Sequence, residues 1–126
     1  MAYHVTPMNV TKFFTSFKYA FAGIVLASKE QNFRFHLLSM IIVIIAAIFT
    51  GLSKIEWIII VLVIAGMLSL ELINSAIENM VDLATTDIHP LAKAAKDLAA
   101  GAVLIFAIAS VIIAVMIFIP KWFNLS

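Results

Sequence analysis

Residues 71–82, Glu-Leu-Ile-Asn-Ser-Ala-Ile-Glu-Asn-Met-Val-Asp, carry most of this chain's capacity for chemistry. On a helix turning about 100° per residue, Glu71, Asn74, Ser75, Glu78 and Asp82 share one stripe about 100° wide. Leu72, Ile73, Ala76, Ile77, Met80 and Val81 make the remainder apolar, with Asn79 the exception. An uncharged run from Trp57 to Leu70 leads directly into Glu71. Three carboxylates on one face of so apolar a helix repel one another and are costly to bury. They imply a bound cation or a working group. Solvation at a helix end would account for Asp82 as well as function does. It does not account for Glu71, which has apolar helix before it and more helix after it. Oxygen donors of this kind suit Mg²⁺, which takes one or two carboxylates and fills its shell with water and phosphate oxygens.

Two further charged groups could join the stripe: Lys29-Glu30, and Lys93 with Lys96-Asp97. A lysine there can meet phosphate as a point charge, although any one of them alone is as readily an interfacial anchor. His36 opens an apolar run and reads as an interfacial residue. His89, in Thr86-Asp87-Ile88-His89-Pro90, is a turn residue or a ligand contact. With no cysteine there is neither a disulfide nor a thiolate zinc site. No GxxxxGK[ST] loop and no protein-kinase glycine loop is present, so a nucleotide site would be of another design.

The elements that must position these groups follow from composition. The 126 residues make one domain, 64% hydrophobic and 12% charged. Ordinary soluble domains run at roughly 45–50% and about 25%. Lipid must therefore be the solvent. A net charge of +1 suggests neither nucleic acid nor a strongly acidic partner. No Lys, Arg, Asp or Glu interrupts the chain between Arg34 and Lys54 or between Asp97 and Lys121. Either run can cross a hydrocarbon core of about 30 Å, which takes roughly 20 helical residues. The segment from Trp57 starts apolar and continues as helix through Asp82 to Leu83. The fold expected is an all-α integral membrane protein with transmembrane helices at about 30–52, 55–84 and 94–119. Gly51 and Pro90 mark turns.

Residues 9–27 differ. Phe13, Phe14, Phe17, Phe21 and Ile24 recur at helical spacing, with Lys12, Thr15, Ser16, Lys18 and Tyr19 between them. That pattern describes an amphipathic helix lying in the membrane surface. Residues 1–36 show no cleavable signal peptide. Lys12, Lys18, Lys29 and Arg34 precede the first span, and Lys93 and Lys96 lie in the 84–97 loop. Only Lys54 and Lys121 fall on the other side. The positive-inside rule places the N-terminus and that loop in the cytoplasm and the C-terminus outside.

The block Glu71-Leu72-Ile73-Asn74-Ser75-Ala76-Ile77-Glu78-Asn79-Met80-Val81-Asp82 resembles the ExxNSAIExxVD signature of the small prokaryotic diacylglycerol kinases. Ala94-Ala95-Lys96-Asp97 with Ala99 to Leu104 resembles that family's second block. Tyr19, Gly23, Glu30 and Phe33-Arg34 match its N-terminal part, so the resemblance covers nearly everything beyond residue 9. It implies a homotrimeric bundle in the bacterial cytoplasmic membrane, with active sites shared between neighbouring subunits. It also implies transfer of the ATP γ-phosphate to a lipid hydroxyl. Glu71 then resembles the general base, and Glu30 and Glu78 the metal-holding carboxylates. Asn74 and Asp82 belong to the supporting polar core. Lys12, Tyr19, Asp87, His89, Lys96 and Asp97 stand at nucleotide positions, together with Glu30 and Glu78. Lys12 replaces an arginine, keeping the charge but losing the bidentate fork. The stretches Asn32 to His36 and Asp82 to Lys93 look like the Gram-positive branch. That branch implies undecaprenol as acceptor, with diacylglycerol as the alternative.

Two other classes fit parts of the pattern: a membrane pore lined by the acidic stripe, and a subunit that only scaffolds a larger assembly. A pore needs polar positions along a whole span. Residues 57–70 offer only Ser69, so the stripe stops halfway.

Overall fold

The computed structural model describes residues 7–125 and is all-helical. Helix α1 spans Val10–Ala27, α2 Gln31–Thr50, α3 Lys54–Ala84 and α4 Pro90–Trp122. All four are long and apolar enough to cross a membrane, α1 being the least apolar. Helix α3 packs against each of the other three, most extensively against α4. It is the post around which the bundle is built.

Each helix end has a local cause. Asn9 caps α1 by accepting the Thr11 N–H at 2.9 Å. Gly51 ends α2 at φ 78°, a left-handed position that suits glycine. Ser53 and Glu56 then form a reciprocal capping box, with bonds of 3.2 and 2.9 Å, that starts α3. The expected bounds of α1, α2 and α3 hold to within two residues. The third transmembrane helix is longer than expected at both ends. The expected loop 84–97 contracts to residues 85–89 because Pro90 does not stop the chain but occupies the first helical turn of α4. Proline is tolerated there, since its missing N–H would have no helical partner. His89 caps the same end, its Nδ1 accepting the Leu91 N–H at 3.1 Å.

Far from residue 71, Ala47, Ile60, Ile117 and Phe118 form a small core. It is tied by polar bonds between helix ends: Trp122 Nε1 donates to Thr50 Oγ1 at 2.8 Å, and Lys121 pairs with Glu56 at 3.0 Å. Nearer the middle, Gly66 lets α4 approach α3. A Cβ at that position would meet the Phe106 ring at about 2.5 Å. Small residues at helix contacts are how membrane bundles pack closely, because lipid tails supply no hydrophobic drive. Gly66→Val should destabilise the bundle by about 1–3 kcal/mol, the usual cost of overpacking. Thermal unfolding in detergent measures this, and pairing it with Phe106→Ala should recover much of the loss.

Candidate active site

The buried face of α3 changes character along its length. Ile60 and Met67 occupy it first, then Glu71, Asn74 and Ser75. The expected stripe therefore continues a packing face rather than a solvated one. Glu71 is 2% exposed, Asn74 6% and Ser75 7%. These three are the buried polar residues of the described chain.

Partners reach them from two directions. Glu30 stands at the N-cap of α2, yet its side chain makes no capping bond. It accepts instead from the Ser75 hydroxyl in a short hydrogen bond, tying the α1–α2 junction to α3. That junction is itself a tight turn, in which Arg34 Nε donates to the Ser28 carbonyl at 2.7 Å. Asn74 Nδ2 donates to Glu78 Oε1 at 3.3 Å, while Asn74 Oδ1 is buried without a donor. His36 Nε2 on α2 lies 3.6 Å from Glu71 Oε2. The sequence reading of His36 as an interfacial residue missed this. No residue pattern within α2 marks the contact, which arises only when α2 and α3 pack.

A second cluster forms around the 85–89 loop. Asp82, Asp87, His89, Lys96 and Asp97 line one open pocket of about 500 Å³. Lys96 bonds Asp82 at 2.5 Å across α3 and α4, and Lys93 bonds Asp97 at 2.5 Å along α4. Asp82 therefore leaves the polar core expected for it. Its side chain is 64% exposed and faces α4. It lies a full turn beyond Glu78, where its partner is Lys96 of α4. Lys12 and Tyr19 lie on exposed faces of α1, and no hydrogen bond or ion pair joins them to either cluster.

Glu30 lines a groove between α1 and α3 with Gly23, Ala27 and Ser75. Among the described residues no three His, Asp or Glu side chains converge into a metal cage. The donors that are present, two carboxylates and the unpartnered Asn74 oxygen, are hard oxygens of the type that Mg²⁺ accepts.

Apolar helices surrounding a buried carboxylate, with a basic and acidic pocket just beyond the same helix ends, define a multi-pass membrane protein with an enzyme-like polar site. The chain belongs to the prokaryotic diacylglycerol kinase family, which matches residues 18–118. It is 54% identical to the undecaprenol kinase of Bacillus subtilis (strain 168), over 90% of this chain and 93% of that protein. It is 42% identical to a diacylglycerol kinase of Synechocystis sp., over 87% of this chain and 64% of that protein. With a diacylglycerol kinase of Haemophilus influenzae the identity is 35%, over 77% and 83% of the two chains. The protein is thus a membrane kinase, as the signature block implies.

The Lys96–Asp82 pair has both partners substantially exposed, so water screens it. Asp82→Asn should cost no more than about 1 kcal/mol in unfolding experiments. A loss of several kcal/mol would mean that Asp82 belongs to the core after all.

Proposed function

We propose that the protein is an ATP-dependent undecaprenol kinase, acting as a homotrimer at the cytoplasmic face of the bacterial inner membrane. The observation that carries the chemistry is Glu71, a carboxylate 2% exposed at the seam where the buried face of α3 turns from apolar to polar. A group in that position meets a lipid hydroxyl without the lipid tail leaving the bilayer. The choice of lipid rests on the Bacillus subtilis relative, whose name gives undecaprenol as its substrate. The relatives named diacylglycerol kinase support the second reading, phosphorylation of diacylglycerol to phosphatidic acid.

In this reading Glu71 accepts the proton of the lipid hydroxyl as its oxygen attacks the γ-phosphorus of ATP and ADP leaves in line. Glu30 and Glu78 would hold Mg²⁺, which when bound supplies neutralisation of phosphate charge. Ser75 and Asn74 keep those two carboxylates in place through the bonds already described. Lys96 steadies phosphate, while Asp87, His89 and Asp97 line the nucleotide side of a pocket whose size suits a small molecule. Lys12 and Tyr19 complete the nucleotide contacts from α1. Helix α1 lies along the membrane surface and delivers the lipid headgroup. A neighbouring subunit supplies the far wall of each site.

Purified protein in mixed micelles should move labelled phosphate from ATP to undecaprenol when undecaprenol and diacylglycerol compete. Dominant labelling of diacylglycerol would overturn the substrate choice. Chelating divalent cations should stop turnover, and Mg²⁺ should restore it. Glu71→Gln should lower kcat by about 10²–10⁴-fold, the span of general-base catalysis, while light scattering still reports a trimer. Wild-type turnover in that variant would remove Glu71 from the mechanism.

A further inference from the structure

His36 is used by none of the roles above, yet it occupies the most consequential contact in the bundle. Its side chain is 19% exposed and that of Glu71 is 3% exposed. Among the described residues it is the one group able to carry positive charge within ion-pair reach of that carboxylate. Glu30 and Glu78, bonded to Ser75 and Asn74 on the same stretch of α3, are acidic like Glu71 and offer it no opposite charge. The imidazole ring is held from the side by Phe35, edge-on at 5.8 Å between centroids.

On its other side His36 lines a cleft of about 250 Å³ between α2, α3 and α4, walled by residues such as Val43, Ile64, Met67 and Ala114. Ser39 and Ser110 line it as well, but their hydroxyls donate to Phe35 O and Phe106 O of their own helices. His36 is therefore the one polar group of the cleft without such a bond, and it stands between the cleft and Glu71. At 3.6 Å the contact is too long for a hydrogen bond. Catalytic contacts are often this long before substrate arrives and tighten only in the reacting complex.

Resting on the reading of Glu71 as the base, we propose that His36 is its positioning residue. The imidazole fixes the direction of the carboxylate at the head of the cleft, so that an oxygen lone pair faces the incoming lipid hydroxyl. The competing account is that His36 merely bonds α2 to α3, as polar side chains in membrane bundles do.

The test compares His36→Leu, His36→Gln, His36→Asn and Glu71→Gln as folded oligomers in micelles. Misplacing a reacting group by about 1 Å can cost on the order of 10²-fold. His36→Leu should accordingly lower kcat about 10–100-fold while the KM for ATP stays within about twofold. His36→Gln, whose amide can still donate to the carboxylate, should recover most of the loss, and the shorter His36→Asn should not. If His36→Leu fails to fold, the contrast between Gln and Asn decides alone. Lower stability with wild-type kcat per folded oligomer in the His36 variants would establish the purely structural account and overturn the proposal. Because Glu71→Gln is measured beside them, failure of the positioning role (Glu71→Gln inert, His36 variants normal) is distinct from failure of the base assignment (Glu71→Gln active).

Discussion

Burying a carboxylate among apolar helices costs several kcal/mol unless other groups answer for it. Glu71, 2% exposed in a chain that is 64% hydrophobic, sets this constraint for the whole molecule. Of the polar groups gathered around Glu71, His36 from α2 is the one able to answer that charge. Ser75 and Asn74 of the same helix as Glu71 bind the neighbouring carboxylates, Glu30 of the α1–α2 turn and Glu78 of α3. None of these helices could bury its polar member alone. The bundle must form first, and α3 must be its centre, because α3 carries the residues that cannot face lipid.

The opposite end of the molecule shows why that arrangement holds. There the core is apolar and small, and polar bonds join the helix ends, Trp122 to Thr50 and Lys121 to Glu56, while Glu56 also closes the cap at Ser53 of its own helix. Gly66 brings α4 against α3 halfway along. The helices are thus clasped at one end and in the middle. At the polar end the contacts between segments are the Ser75–Glu30 bond, the 3.6 Å approach of His36 to Glu71 and the exposed Lys96–Asp82 pair.

Much of this was legible in the residues because membrane helices obey simple rules. Uncharged runs gave the spans, and helical angles put Glu71, Asn74, Ser75 and Glu78 together. The ends of α4 were less legible. Pro90 punctuates a sequence equally well as a turn residue or as the first residue of a helix, and only the cap at His89 decides between them. Asp82 shares the angular stripe of Glu71, but angle alone carries no information about height. One turn beyond Glu78 the Asp82 side chain is largely exposed and pairs with Lys96 of α4. His36 was illegible for a different reason. Its significance lies in a contact between α2 and α3, and nothing within α2 distinguishes a histidine at the head of a cleft from one at the membrane interface.

The height at which the polar face stops has a chemical consequence of its own. Below Glu71 the buried face of α3 returns to Met67 and Ile60, and the adjoining cleft is apolar apart from His36 and two self-bonded serines. A phosphate group has no partner there, and a hydrocarbon tail has no reason to rise above it. On the proposed reading of Glu71 as the base, that boundary would sort a lipid alcohol by its own amphipathicity, with the hydroxyl at Glu71 and the chain below. A helix whose polar face stops partway across the span suits a kinase better than a pore. The reaction needs charge at a single depth, and a polar stripe continued across the span would give up the boundary that orients the substrate.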